Sequence, residues 1–335
     1  MTVATTHDTG SLRTSTEAAL RTLWSDPSVA IESMAAYGDG HSGFTYLVTL
    51  SSRAETGTFV ARLSPPGARI AGPSDVGRQA RVMSALYEAG LPAPRIIAAD
   101  STGLVQDRSL AVMQQLTGAS WEVVADSHGH RFVAASAVDL LRRIWNLPLG
   151  LVGVGADVPY SLEDEVRRWL RLARSCPAWL QEPAEILAEE LLASLPAPAV
   201  PGLVHGDYHY GNLLFDDDGI VGVFDWEIAC LGDSRLDFGC LGVASLRRRY
   251  RPEPNPTGDV EIALSDLAAL YGLDATTAAW FISATCLKYL AILGYNLGLH
   301  RRGKRTDPIY EQLLDTMHRL GTDGRLILAE GLGEF

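Results

Sequence analysis

Residues 203–239 read LVHGDYHYGNLLFDDDGIVGVFDWEIACLGDSRLDFG, and the fold turns on this stretch. Asp207 is followed five positions later by Asn212, and the apolar run Ile220–Phe224 then delivers Asp225. Two short apolar segments, Asn212–Phe215 and Ile220–Phe224, flank the turn-rich Asp216-Asp217-Asp218-Gly219, which predicts a β-hairpin with glycine at the left-handed position. The hairpin would set Asp225 at the end of its second strand, beside the loop carrying Asp207 and Asn212.

Three groups so placed suit phosphoryl transfer from a magnesium nucleotide. A carboxylate at Asp207 can accept a substrate hydroxyl proton. The amide oxygen of Asn212 and the carboxylate of Asp225 are hard oxygen donors of the kind Mg2+ prefers. Protein kinases use the same order, D-x-x-x-x-N followed by a metal-binding Asp at the end of a later strand. Taken alone, D-x-x-x-x-N is as easily a capped loop beside a polar hairpin turn. The joint pattern of His205-Gly206-Asp207, Asn212, hairpin and Asp225-Trp226-Glu227 is what carries the reading.

HGDYHYGN followed by FDWEIACLGDSRLD resembles the aminoglycoside phosphotransferase-like kinases, relatives of choline kinase. Within that family the chain is most similar to phosphotransferase domains related to those fused to acyl-CoA dehydrogenases. The resemblance covers residues from about 31 to the C-terminus and is specific only in the stretch quoted. It implies an α+β, protein-kinase-like two-lobe fold, with a small, mostly antiparallel β N-lobe and a larger helical C-lobe. The lobes expected are 31–117 and 118–335, after an N-terminal tail and short helix over 1–30. It implies Asp207 as base, Mg2+ on Asn212 and Asp225, and ATP or GTP as donor. Asp233 and Asp237 match positions that cap or brace backbone. His205 and Trp226 are expected to pack, and Glu227 to lie near the substrate mouth.

The order of the remaining chain fits that frame. Gly38-Asp39-Gly40-His41-Ser42-Gly43 satisfies G-x-G-x-x-G. A dinucleotide fingerprint should run from its glycines into a helix. Here they run into Phe44–Leu50, rich in β-branched and aromatic residues, so Gly38, Gly40, Ser42 and Gly43 read as a phosphate-covering turn or a plain glycine hairpin. Thr58–Leu63 predicts the next strand. Kinases place a phosphate-binding Lys there, but this chain has only Lys288 and Lys304, so Arg62 is the candidate. The helix predicted from Asp75 to Ala89 places Gln79 where the family carries a Glu. Gln79 could orient Arg62 by a hydrogen bond but cannot form an ion pair, which leaves a nucleotide-binding pseudokinase open beside an active enzyme. A strand over Leu110–Leu116 would end at a hinge where the adenine edge meets backbone near Gln114 and Leu116.

Further signals include a capping box at Thr14-x-x-Glu17, a turn at Ser101-Thr102-Gly103, and a capped helix from Ser161. Pro183 is expected at the first turn of a helix over 186–195, and Gly321 at the end of a helix over 308–320.

Composition excludes several classes. The net charge of −12 argues against sequence-independent nucleic-acid binding. No G-x-x-x-x-G-K-[ST] exists, which removes a Walker-type site, and Gly40-His41-Ser42-Gly43-Phe44 lacks the last glycine of a serine-hydrolase elbow. His205 and His209 are no zinc pair without a third ligand. Four cysteines without C-x-x-C spacing, and no export signal, predict reduced buried thiols in a cytoplasmic protein. The apolar run 276–299 contains Lys288, Tyr289 and Asn296 and reads as a buried helix rather than a membrane span. The basic runs 247–251 and 301–305 are solvated surface or a patch for a phosphorylated substrate. The acceptor is an aminoglycoside-like alcohol or a hydroxyacyl-CoA, the class on which known members related to the fused domains act. Oligomeric state has no signature.

Overall fold

The computed structural model describes residues 9–37, 44–148, 150, 158–250, 260–333 and 335. The chain divides into two compact units, one of Met1–Thr117, Gly150–Gly155 and Val221–Ile228, the other of Gly118–Leu149, Ala156–Ile220 and Ala229–Phe335.

In the first unit, β1 (Ala30–Ala36), β2 (Phe44–Ser51), β3 (Thr56–Leu63), β4 (Ile96–Val105) and β5 (Arg108–Gln114) form an antiparallel sheet in the order β1-β2-β3-β5-β4. Strand alternation buries Val48, Leu50, Ala61, Leu63, Leu110 and Val112 together. Leu12 and Leu20 of α1 (Thr9–Trp24) join that core, and Trp24 Nε1 donates to Ile97 O at 3.0 Å. α1 begins earlier than the sequence suggested. Thr14 is no cap; its hydroxyl donates back to Gly10 O, the i−4 pattern of a Thr inside a helix, while Glu17 accepts from Ile31 N. The expected turn at 101–103 is instead a bulge inside β4, its N–H groups gathered by the Asp100 carboxylate. The hairpin turns at Gln106-Asp107, both at positive φ. α2 (Val76–Glu88) opens on the Asp75 cap and closes at Gly90, φ 72°.

The second unit is helical. α3 (Trp121–His128), α4 (His130–Trp145), α5 (Leu162–Ala173), α6 (Ala178–Ala193), α7 (Arg235–Ser245), α8 (Arg247–Tyr250), α9 (Leu264–Tyr271), α10 (Ala275–Arg301), α11 (Ile309–Gln312) and α12 (Leu314–Glu330) accompany the short strands β6 (Gly202–Val204) and β9 (Cys230–Gly232), which pair antiparallel. The sequence-predicted hairpin is β7 (Leu213–Asp216) and β8 (Gly219–Val223). Its turn is held by Asp216, which accepts from the N–H groups of Asp218 and Gly219. α5 carries the full capping box of Ser161 and Asp164.

α10 is the centre of this unit, packed by α5, α6, α7 and α12. Among the described residues it is the one helix long and apolar enough to cross a membrane, yet 78% of its apolar window is buried inside the protein. Two helix boundaries differ from expectation. Pro183 lies inside α6 rather than at its first turn, so it has no N–H to offer the Trp179 carbonyl one turn back. Gly321 does not end a helix. It sits within α12, where a side chain would press on Leu290 and Pro183.

A closer approach joins α7 to α10, since a Cβ on Gly239 would collide with the Phe281 carbonyl and the Thr285 hydroxyl. Gly239→Ala is therefore expected to destabilise the protein by about 1–3 kcal/mol, the usual cost of overpacking. A thermal or urea midpoint equal to that of the wild type would contradict this contact.

Candidate active site

The loop after β6 is held by its backbone. Gly206, at φ 87°, makes the turn. Asp237, wholly buried in the first turn of α7, accepts from the N–H groups of His205 (2.7 Å) and Gly206 (2.8 Å). The buried His205 ring accepts the Asp207 N–H at its Nδ1, 3.1 Å away. Asn212 Nδ2 donates to the Asp207 carbonyl at 2.9 Å, and Lys288 Nζ donates to the Gly206 carbonyl at 2.5 Å. Both peptide groups flanking Asp207 are thereby fixed, and its side chain is presented from a rigid loop.

That carboxylate has its own partners. Oδ1 accepts from the Tyr289 hydroxyl at 2.6 Å, and Oδ2 lies 3.5 Å from His209 Nε2. Burial works against its charge, but the hydrogen bond and charge of His209, the charge of Lys288 and the Tyr289 hydroxyl outweigh it. Its pKa is held well below the usual carboxylate range. Burial also opposes a charge on Lys288. The neighbouring Cys240 sulfur and the Asp207 and Asp237 carboxylates offset this and raise its pKa.

Asp237 moves the other way. Burial pushes it up to about 7, against the two N–H groups it accepts and Lys288 nearby. A carboxyl whose folded-state pKa exceeds its unfolded value stabilises the fold fully only below that unfolded value, and the contribution is lost as pH rises through the folded one. Unfolding free energies of wild type and Asp237→Asn are thus expected to converge or cross in the wild type's disfavour between about pH 4 and pH 7. A difference independent of pH across that window would contradict the burial argument.

Asp225, in the first unit, stands at φ 66° just beyond β8, an uncommon conformation for a residue with a side chain. Arg62, from β3, donates to Asp225 Oδ1 at 2.9 Å and lies 3.9 Å from Glu227. Trp226 is fully buried and its ring N–H donates to Val223 O. Gln79 does not orient Arg62. Its Nε2 donates to Pro73 O, while its Oε1 and Arg62 Nε are each buried without a hydrogen-bond partner among the described residues. The amide N–H of Gln79 is committed to Pro73 and Arg62 Nη2 to Asp225, so the two side chains make no hydrogen bond to each other.

Beyond β5, the Gln114 N–H is committed to Arg95 O, and Leu116 packs where a side chain on Gly222 would fall. Asp233 caps the turn into α7 and pairs with the Arg235 guanidinium at 2.6 Å. Gly38, Gly40, Ser42 and Gly43 lie outside the described residues.

Among the described residues no group of three or more His, Cys, Asp and Glu side chains is arranged for a metal. An oxygen-rich Mg2+ site needs fewer carboxylates, because water and phosphate supply the rest. Asn212 spends its amide N–H on Asp207, which leaves its oxygen as the donor a hard cation would take. Asp225 is a carboxylate already facing a cation, Arg62. Both fit the ion.

Three arginines of the basic runs are ion-paired: Arg248 with Glu261, Arg249 with Asp323, Arg301 with Glu311. All four cysteines are buried and free. The sequence reading missed Tyr289, Lys288 and His209. Lys288 alone left a signal, as one of two lysines in the chain and set in an apolar run.

The phosphotransferase enzyme family model matches residues 33–272. Acyl-CoA dehydrogenase family member 11 of Rattus norvegicus is 24% identical over 82% of this chain and 37% of its own length. Family member 10 of Mus musculus is 25% identical over 61% of this chain and 20% of its own. The chain thus spans about a third or less of these relatives.

Solved structures agree on the fold. A Ralstonia eutropha protein named for the aminoglycoside phosphotransferases superposes with a TM-score of 0.72 at 16% identity, covering 95% of this chain and 98% of that one. Aminoglycoside phosphotransferase APH(4)-Ia, in a ternary complex with ADP and hygromycin B, gives 0.64 at 14% identity over 93% and 98%. An amicoumacin kinase with AMP-PNP and Ca2+ gives 0.60 at 16% identity over 95% and 96%. The fold is α+β and protein-kinase-like, and with the family model covering most of its length, this chain belongs to the phosphotransferase enzyme family.

Proposed function

We propose that this protein is an ATP- or GTP-dependent small-molecule O-phosphotransferase that moves the γ-phosphoryl group of the nucleotide to a substrate hydroxyl. The observation that carries the reading is an Asp207 side chain on a loop fixed at both flanking peptides, beside an Asn212 whose amide orientation is set by that same loop. Asp207 orients the acceptor hydroxyl and takes its proton as the new O–P bond forms and the bond to the departing diphosphate breaks. Its low pKa makes it a weak base, so the proton arrives late, once bonding to phosphorus has acidified the hydroxyl. Asn212 and Asp225 are the residues that would hold Mg2+, which would neutralise charge on the phosphates. Arg62 serves as the phosphate cation in place of a lysine. A guanidinium can pair two phosphate oxygens at once.

Hygromycin B and amicoumacin are ligands of structural neighbours, and the curated relatives belong to acyl-CoA dehydrogenases. These names support an aminoglycoside-like alcohol or a hydroxyacyl-CoA as the acceptor. A pseudokinase is favoured by one observation, the Arg62–Asp225 pair with Gln79 turned to Pro73. Nucleotide consumption with Mg2+ across aminoglycosides, macrolides, simple alcohols and hydroxyacyl-CoA compounds tests the proposal. Acceptor-dependent turnover is expected. A thermal shift with Mg·ATP but no turnover on any acceptor would select the pseudokinase.

A further inference from the structure

Two neighbouring residues of α10, Lys288 and Tyr289, reach the Asp207 loop from 82 positions away in sequence. The Lys288 ammonium, almost wholly buried, donates to the Gly206 carbonyl and lies 2.9 Å from Cys240 Sγ. The Tyr289 hydroxyl donates to Asp207 Oδ1 at 2.6 Å. Nothing in the packing of an apolar helix requires either group. A buried lysine is costly unless its charge is used, and consecutive helical residues point to different sides, so both converge only because the loop wraps this part of α10.

We infer that Lys288 and Tyr289 are positioning residues for the phosphoryl-transfer step, an inference that rests on Asp207 as the base. Tyr289 occupies Oδ1 and fixes the rotation of the carboxylate, so that Oδ2, the oxygen on the His209 side, receives the acceptor proton. Lys288 pins the peptide preceding Asp207, so the carboxylate is presented from a backbone that cannot swing away. Cys240 is the small, polarisable neighbour that lets the ammonium sit there without a formal counter-ion in contact. Both residues act through the Asp207 loop.

The test uses the whole chain with whichever acceptor the screen identifies, and compares Tyr289→Phe and Lys288→Met, alone and combined with Asp207→Asn. Phe keeps the ring, and Met keeps most of the length. Each single variant is expected to lower kcat by about tenfold or more, in line with loss of positioning at a catalytic group, with KM for nucleotide within about twofold. In the Asp207→Asn background neither is expected to cost more than about a further twofold, because groups acting as one unit are not additive.

Wild-type kcat in a folded variant overturns the inference. So does an equal further loss on top of Asp207→Asn, which marks a general scaffold role, as does failure of both variants to fold. If only one folds, it carries the test. If Asp207→Asn alone keeps the wild-type rate, the assignment of the base falls and this inference falls with it. If Asp207→Asn is impaired while both α10 variants are not, only this inference falls.

Discussion

Asp207→Asn is expected to lower kcat by roughly two to four decades, the span typical of general-base catalysis, while leaving the fold and nucleotide binding intact. Retained structure follows from the contacts around the loop. The bonds from Asn212, Lys288 and His205 all reach backbone atoms of residues 206 and 207, so none is lost when the side chain changes. An amide oxygen can still accept from Tyr289. What disappears is the negative charge and the ability to take a proton. Steady-state kinetics with the identified acceptor, beside a thermal-shift titration with nucleotide, separates the two effects. An unchanged rate would remove Asp207 from the chemistry. The wild-type carboxylate is held low by His209, Lys288 and Tyr289 in spite of burial. It therefore stays ionised down through mildly acidic pH, and any acid-side loss of activity there must come from another group.

The second large effect is at Asp225. Asp225→Asn is expected to reduce kcat by about three decades, because a cation at the transferring phosphate contributes several kcal/mol and each 1.36 kcal/mol is tenfold. Asn is the right replacement for a physical reason. The residue sits at φ 66°, and Asn tolerates this region nearly as well as glycine does, whereas Ala would add backbone strain to the loss of charge. The substitution also releases Arg62, whose ion pair with Asp225 lies in a partly shielded setting, with side chains 15% and 25% exposed. The concentration of Mg2+ giving half-maximal activity is expected to rise with the fall in kcat. A rate within threefold of wild type at ordinary Mg2+ would show that Asp225 is no metal ligand.

Much of this arrangement could be read from local spacing. The hairpin is legible because two apolar segments flank a Gly-terminated acidic turn, which the structure forms as β7 and β8. The Ser161 box is legible for the same reason, since it is a contact within four residues. Where the sequence misled, a local signal had more than one physical outcome. Thr14 can cap a helix or bond back inside one. Pro183 can start a helix or sit in its early turns, and Gly321 can end a helix or admit a neighbour. Tertiary packing chose the second each time.

The partners of Asp207 were beyond reach on other grounds. Tyr289 and Lys288 lie on a helix whose composition marks it as core, and only a tertiary contact across 82 residues reveals their polar ends at the loop. Gln79 was expected against Arg62 because the family has a glutamate there. The amide instead bonds Pro73, and the guanidinium bonds Asp225.

The proposed function assigns Mg2+ to the Asn212 amide oxygen and the Asp225 carboxylate, and the acceptor proton to Asp207. A crystal structure of this chain with Mg2+ and AMP-PNP tests it directly. The account predicts an ion about 2.0–2.1 Å from both oxygens, bridging to the phosphates, with Arg62 moved from Asp225 to the nucleotide. A bound nucleotide whose metal is held by neither residue, or an Asp225 still closed on Arg62 with the phosphates elsewhere, would contradict it.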